Sequence, residues 1–287
     1  MIWAMASRPR TLTAAILPVV VGAALARADG AFRLLPALAA LLGAIAIQIG
    51  TNFANDYFDA VKGADRERQG PIRVTQAGLV TQRQIRAATA IAFGIAFLCG
   101  VYLVAVAGWP IAAVGILSLL SGLAYTGGPF PLGYHGLGEI FVFVFFGLAA
   151  VGGTYYVQAL RVTPLVILLA CPIGLLSTAI LVANNLRDAE TDRRSGKLTL
   201  VARHGRTFGR IEYCALLATS FAIPVALVLA RSLPVGGLFP LLGLPLAVPL
   251  VRRCFRAVGP EEHVRLLVGT SRLLLVFGLL LSLGVIL

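Results

Sequence analysis

Long uncharged runs constrain this chain more than any other feature. They cover Thr11 to Ala26, Leu34 to Asn55, Ala87 to Trp109, Pro110 to about Thr126, Ile140 to Leu160, Val162 to Leu186, Tyr213 to Ala230, Ser232 to Val251 and, broken only by Arg272, Leu266 to Leu287. A helix needs about 20 apolar residues to cross the hydrocarbon of a bilayer. Each run therefore reads as one span, giving nine transmembrane helices in an all-α membrane protein, with residues 1–287 forming a single domain. A composition of 59% hydrophobic and 13% charged residues leaves no material for a sizeable water-soluble domain. The first run is short and follows Arg8 and Arg10, as in a leader peptide, but we expect it to remain as the first span. Pro234, Pro240, Pro245 and Pro249 make the eighth the least regular.

Charge placement orients the bundle. The chain has 24 Lys and Arg against 12 Asp and Glu, a formal charge of +12. With a cytoplasmic N-terminus, nineteen basic residues fall in inside segments, and the outside segments hold only Arg27, Arg33, Arg161 and Arg231. That is a strong positive-inside bias. It accounts for most of the net charge through topology and attraction to anionic lipid, so no nucleic-acid partner is required. The four cysteines stand singly, without metal or redox spacing, and read as small apolar packing residues.

Seven of the twelve acids lie in two stretches, Asp56, Asp59, Asp65 and Glu67 after the second span, and Asp188, Glu190 and Asp192 after the sixth. Asn52, Asn55, Asp56 and Asp59 are spaced i, i+3, i+4, i+7, so one further helical turn puts them on one face. Asn184, Asp188 and Asp192 form a similar stripe. Both spans exit on the same side, so the stripes can face each other. The segments Asn55 to Asp59 and Asn184 to Asp188 also repeat one pattern at an offset of 129 residues, which suggests a duplicated four-helix unit on thin support.

Carboxylates with amide oxygens are hard ligands. Mg²⁺ is typically held by one or two carboxylates plus substrate phosphate oxygens. Lys62, Arg66, Arg68, Arg73, Arg187 and Lys197 lie among the acids and can neutralise phosphate. Together these groups suggest a metal-bound diphosphate with a lipid tail. The plainer reading is that such charges merely end helices and solvate one face. It suits Glu67, Glu190, Arg193, Arg194, Arg203, Arg206 and Arg210, but two same-side clusters with four asparagines are costly in a membrane without a task. A transporter would place its carboxylates near the midplane, where these spans are apolar.

Several stretches jointly resemble the UbiA superfamily of intramembrane aromatic prenyltransferases, and within it the naphthoate branch of the menaquinone pathway. They are Arg8 to Leu12, Asn55 to Asp65, Gly70 to Val74, Ala124 to Glu139 and Asn184 to Gly205, about a fifth of the chain. Many members of the superfamily carry a third Asp four residues after the second. Here Gly63 stands there and Asp65 comes two later, so its part as a ligand is open.

The resemblance implies a bundle around a central cavity in a bacterial cytoplasmic membrane. It implies Mg²⁺ bridging the aspartate motifs and a long isoprenoid diphosphate, and an allylic cation formed in an apolar tunnel. Asn55, Asp56, Asp59, Asp188 and Asp192 would hold metal directly or through water, supported by Asn52, Asn184 and Asn185. Lys62, Arg73 and Lys197 would hold diphosphate, with Arg187 either joining them or pairing with Asp188. Tyr125 would steady the cation or orient an acceptor. The implied reaction is transfer of an all-trans polyprenyl group to 1,4-dihydroxy-2-naphthoate with loss of the carboxyl, giving demethylmenaquinone. Other acceptors, namely 4-hydroxybenzoate, homogentisate or a sugar phosphate, are the rivals. Tyr155, Tyr156, His204 and His263 are expected at the surface or in the interfacial belt. The Gly- and Pro-rich loop holding His135 and Glu139 is expected to be a lid, a wall or a tight turn.

Overall fold

The computed structural model describes residues 2–62 and 73–287, and every element among them is helical. A short α1 (Ile2–Ala6) leads into α2 (Pro9–Ala28), α3 (Leu34–Lys62), α4 (Gln82–Ala107) and α5 (Trp109–Ala124). The next crossing is composite: α6 (Gly138–Val142), a π-helical segment (Phe143–Ala149) and α7 (Ala150–Ala159) follow without a break. Then come α8 (Pro164–Arg194), α9 (Leu200–His204), α10 (Arg206–Leu229), a 3₁₀ segment (Val235–Gly243) running into α11 (Leu244–Arg256), and α12 (Pro260–Ile286). Among the described residues, eight helical stretches are long and apolar enough to span a bilayer, and α5 is a shorter apolar helix.

Local chemistry explains several boundaries. Thr81 opens α4 with a reciprocal capping box to Gln84, and Thr163 accepts from the Val166 amide ahead of Pro164 to start α8. Irregularity in the eighth crossing was expected from its prolines, and it takes the form of the nine-residue 3₁₀ segment around Pro240. Proline supplies no N–H and clashes with the preceding turn, so regular α-helix begins only at Leu244. The helices carrying the acidic stripes extend past the uncharged runs, α3 to Lys62 and α8 to Arg194, so the polar residues ride on rigid helix.

Helix α8 is the most buried crossing. With α2, α7, α10, α11 and α12 it builds one continuous apolar core that includes Leu17, Leu169, Ile173, Leu176, Leu274 and Phe277. Close backbone approach tightens this half. A Cβ added at Gly147 in the π segment would lie 2.8 Å from Gly174 Cα in α8. The other half, α3, α4 and α5, closes against α2 and α7 with a cavity left between.

Two surface expectations are corrected. Tyr155 is fully buried, and its hydroxyl donates to Asp29 at the end of α2. His263 is buried in the first turn of α12 with its Nδ1 2.8 Å from the Gly259 carbonyl. Proximity to a span end fixes depth, whereas rotation about the helix axis decides which neighbour a side chain meets. His204 is exposed and Tyr156 half-buried.

Candidate active site

Asn52, Asn55, Asp56 and Asp59 are all buried on the inward face of α3. Asn185, Asp188 and Asp192 are buried on α8, with Asn184 half-buried beside them. These two helix ends meet at the polar end of a cavity of about 590 Å³. Asn52, Asn55, Asp59, Arg73, Tyr125, Asn184, Asn185 and Lys197 all line it, together with Arg8, Thr11 and Thr126. Its length is apolar, with Ile47, Phe97, Leu103, Val114, Phe145 and Ile180 in the walls. Asp56, Asp188, Asp192 and Arg187 are buried around this end without lining the cavity. The side chain of Lys62 and the whole of Asp65, Arg66, Glu67 and Arg68 lie outside the described residues.

Each motif is wired to basic partners. Arg73 donates to Asp59 Oδ2 at 3.0 Å, with both side chains almost fully buried. Arg187 forks onto Asp188, Nε to Oδ1 at 2.7 Å and a terminal nitrogen to Oδ2 at 2.6 Å, and also donates to Asn184 at 2.7 Å. Lys197 Nζ lies 3.6 Å from Asp192 Oδ1. Asp59 and Asp192 both stand in the last turns of their helices, where the carbonyl ends of the backbone already carry negative potential. Carboxylates placed there call for positive charge, from these side chains or from a bound cation.

The asparagines divide their work. Asn55 accepts from Thr126 at 2.7 Å, and Asn52 donates to the Ser7 carbonyl at 2.9 Å, tying the chain before α2 to the site. Asn185 turns away from the Asp188 cluster and donates to Glu139 Oε1 at 2.9 Å. Glu139 is thus a buried member of the first turn of α6.

The α5–α6 loop is a tight structured turn. Gly133 N donates to the Tyr125 carbonyl at 2.9 Å, and residues Leu132–Tyr134 form one 3₁₀ turn. Tyr125 packs between two glycines of this loop. A Cβ at Gly133 would approach its ring to 3.0 Å, and one at Gly138 would come within 2.9 Å of its hydroxyl. Tyr125 stands one residue past α5. Burial, followed by the negative fields of Glu139, Asp192 and Asp59, pushes its hydroxyl far above the usual range, so it remains a protonated donor.

The cavity is thus apolar along its length and ends in paired carboxylates and cations. The model of the UbiA prenyltransferase family matches residues 15–284. This chain belongs to the UbiA prenyltransferase family. Among curated family relatives, the 1,4-dihydroxy-2-naphthoate octaprenyltransferase of Escherichia coli (strain K12) is 41% identical, over 99% of this chain and 95% of that protein. The protein of the same name from Bacillus subtilis (strain 168) is 33% identical over 98% and 90%. A solved UbiA homolog from Archaeoglobus fulgidus shares the fold, with a TM-score of 0.68 at 14% identity over 100% of this chain and 99% of that one.

Residue-by-residue reading of the sequence missed Tyr134, whose hydroxyl donates to Asp59 Oδ1 at 3.0 Å, and Thr126. Glu139 was noticed only as a loop residue. Each is an isolated polar side chain near a Gly- and Pro-rich turn, without periodicity to single it out.

Proposed function

We propose that this protein transfers a polyprenyl group from its diphosphate to 1,4-dihydroxy-2-naphthoate with loss of the acceptor's carboxyl, yielding demethylmenaquinone in its reduced form. The carrying observation is the meeting of two aspartate motifs, each with cationic partners, at the polar end of an apolar cavity. The choice of acceptor is supported by the naphthoate octaprenyltransferases, which match this chain nearly end to end.

The donor set suits Mg²⁺ shared with a substrate. Among the described residues no three His, Cys, Asp or Glu side chains converge into a protein cage. The carboxylates are instead split between two helix ends, which fits an ion that completes its shell with substrate phosphate oxygens. An Archaeoglobus fulgidus homolog of this fold was solved with DMAPP and Mg²⁺. In this chain Asn55, Asp56, Asp59, Asp188 and Asp192 would hold the metal directly or through water. When bound, it neutralises charge developing on the departing diphosphate.

The protein's own groups do the rest. Arg73 and Lys197 hold diphosphate oxygens at the cavity's polar end, and Lys62 is assigned to the same task. Arg187 orients Asp188 through its two-point contact. The apolar walls take the isoprenoid and exclude water as the bond from its C1 to diphosphate oxygen breaks and the electron pair leaves with diphosphate. Tyr125 offers its ring to the resulting allylic cation, or its O–H to the acceptor. The ring carbon bearing the carboxylate then bonds to C1, and the carboxylate leaves as carbon dioxide, the electron pair of its C–C bond restoring the aromatic ring. The N-terminus and both motifs face the cytoplasm, in keeping with the positive-inside bias.

The test is mass spectrometry of products from purified protein given a polyprenyl diphosphate and 1,4-dihydroxy-2-naphthoate, with Mg²⁺ and with a chelator. A Mg²⁺-dependent product lacking the carboxyl is expected. Product only with 4-hydroxybenzoate or homogentisate would move the proposal to that acceptor, and no product from any of them would overturn it.

A further inference from the structure

Tyr134 lies outside the cavity lining, yet it touches both halves of the site. Its hydroxyl donates to Asp59 Oδ1 of the first motif at 3.0 Å. Its ring faces Lys197, whose Nζ lies 5.8 Å from the ring centroid, and Lys197 in turn pairs with Asp192 of the second motif. Its carbonyl accepts from the Leu198 amide at 2.9 Å, fixing the backbone next to that lysine.

These contacts have one source of rigidity. Gly133 N is bonded to the Tyr125 carbonyl, and Arg203 reaches the His135 carbonyl at 3.0 Å, so the turn bearing Tyr134 is anchored on both flanks. A carboxylate offers about four lone-pair directions. With Arg73 on Oδ2 and Tyr134 on Oδ1, the plane of Asp59 is set from two sides and its remaining lone pairs keep a fixed aim. Outer partners of this kind commonly matter to metal affinity almost as much as the ligands themselves. The ring face does the same for Lys197 through its quadrupole, steadying the ammonium without consuming a hydrogen bond.

We propose that Tyr134 is a positioning residue that holds the two aspartate motifs in register, its hydroxyl orienting Asp59 and its ring and carbonyl fixing the Lys197 segment. The proposal rests on the reading of Asp59 as a metal-site carboxylate and of Lys197 as a diphosphate-binding residue. It separates two functions in one side chain, and Tyr134→Phe removes only the first of them.

The experiment is a thermal-shift titration of the detergent-solubilised full chain with Mg²⁺ at saturating inorganic diphosphate, alongside steady-state kinetics. Tyr134→Phe should need on the order of tenfold more Mg²⁺ for half-maximal stabilisation, with the acceptor KM unchanged and the metal-free Tm close to wild type. Tyr134→Leu, which also removes the ring, should in addition weaken diphosphate at saturating Mg²⁺. A Tyr134→Phe midpoint equal to wild type would overturn the proposal. So would a shift accompanied by an equal rise in acceptor KM and a fall in metal-free Tm, the signature of a general packing defect. If the wild-type chain turns over substrate normally, such a result refutes only the role of Tyr134. If wild type neither turns over nor responds to Mg²⁺ and diphosphate, the functional reading itself fails and takes this proposal with it.

Discussion

The bundle has a solid half and a hollow half, built from similarly apolar helices. Around α8, the chains of α2, α7, α10, α11 and α12 bury a continuous core, and backbones approach so closely that only glycine fits at several crossings. Helices α3, α4 and α5 pack on one another, Gly50 against the Phe93 ring and Gly122 against Thr51, yet they leave a cavity on the side facing α2 and α7, where Gly100 and Gly115 border open space. Apolar character does not separate the two halves, because in lipid there is little hydrophobic gain in bringing helices together, and association depends on close packing and polar contacts. Small residues thus serve opposite ends. At helix contacts in both halves they let helices touch, and along the cavity at Gly100 and Gly115 they leave room for a ligand.

The largest effect should come from the seam where the halves meet. Asp59→Asn, Asp188→Asn and Asp192→Asn should each lower turnover at least about a hundredfold, measured by product formation. Stability should separate them. Asp188 is the bidentate partner of one buried guanidinium and Asp59 is paired with another, Arg73, and breaking such a pair costs about 3 kcal/mol or more; Asp192 makes a looser contact with Lys197, at 3.6 Å. A loss of thermal stability should therefore accompany the loss of activity in Asp59→Asn and Asp188→Asn but not in Asp192→Asn. Equal stability across the three variants would show that the buried guanidiniums do not depend on these carboxylates.

The two halves should also answer the same substitution differently. A Cβ on Gly284 of α12 would collide with the Gly236 carbonyl oxygen, so Gly284→Ala must push backbone apart and should cost about 1 to 3 kcal/mol, read as a lower Tm. A Cβ on Gly100 of α4 meets nothing within 4 Å. Gly100→Ala should leave Tm unchanged or raise it by up to about 1 kcal/mol of helix propensity. Similar losses at both sites would dissolve the distinction.

Much of this division lies beneath what a sequence exposes. Each uncharged run falls on a helix or a composite helical stretch, because bilayer thickness sets a minimum length, although α3, α8 and α10 extend well beyond their runs, and the i, i+3, i+4, i+7 stripe of Asn52, Asn55, Asp56 and Asp59 put the polar face of α3 where it is buried. Which apolar face meets a helix and which meets a cavity left no such mark, since both are drawn from Ala, Gly, Leu and Val. Through-space partners were equally silent. Tyr134 and Glu139 are brought to the motifs by the turn between α5 and α6, and nothing in their spacing points to Asp59 or Asn185. Tyr155 and His263 were misplaced for a related reason, as depth in the membrane is legible and helix rotation is not.

Filling the hollow half should change selectivity before stability. Gly115 lines the cavity with open space beside it, so Gly115→Leu should occupy part of the path of a long isoprenoid. Competition between a short and a long prenyl diphosphate should shift kcat/KM in favour of the short one by roughly tenfold, in the range that one or two methylenes command in an apolar pocket. No shift would mean that the chain runs elsewhere.

The smallest effect tests whether the solid half is scaffold alone. Tyr213 on α10 and Thr270 on α12 meet at 2.7 Å in a fully buried contact, and Thr270 already donates to the Leu266 carbonyl, so the tyrosine is the donor between them. Interhelical hydrogen bonds in membrane proteins are worth on average about 0.6 kcal/mol, because the unfolded chain in the bilayer also finds partners. A double-mutant cycle of Tyr213→Phe and Thr270→Val, followed by reversible unfolding in mixed micelles, should return a coupling of that size. Turnover and product chain length should stay at wild-type values in all three variants. Coupling without loss of activity would fix this half as a frame whose polar contacts are modest glue. A change in product chain length, by contrast, would mean that the packing of α10 on α12 reaches across α8 into the cavity, and that the two halves do not act independently.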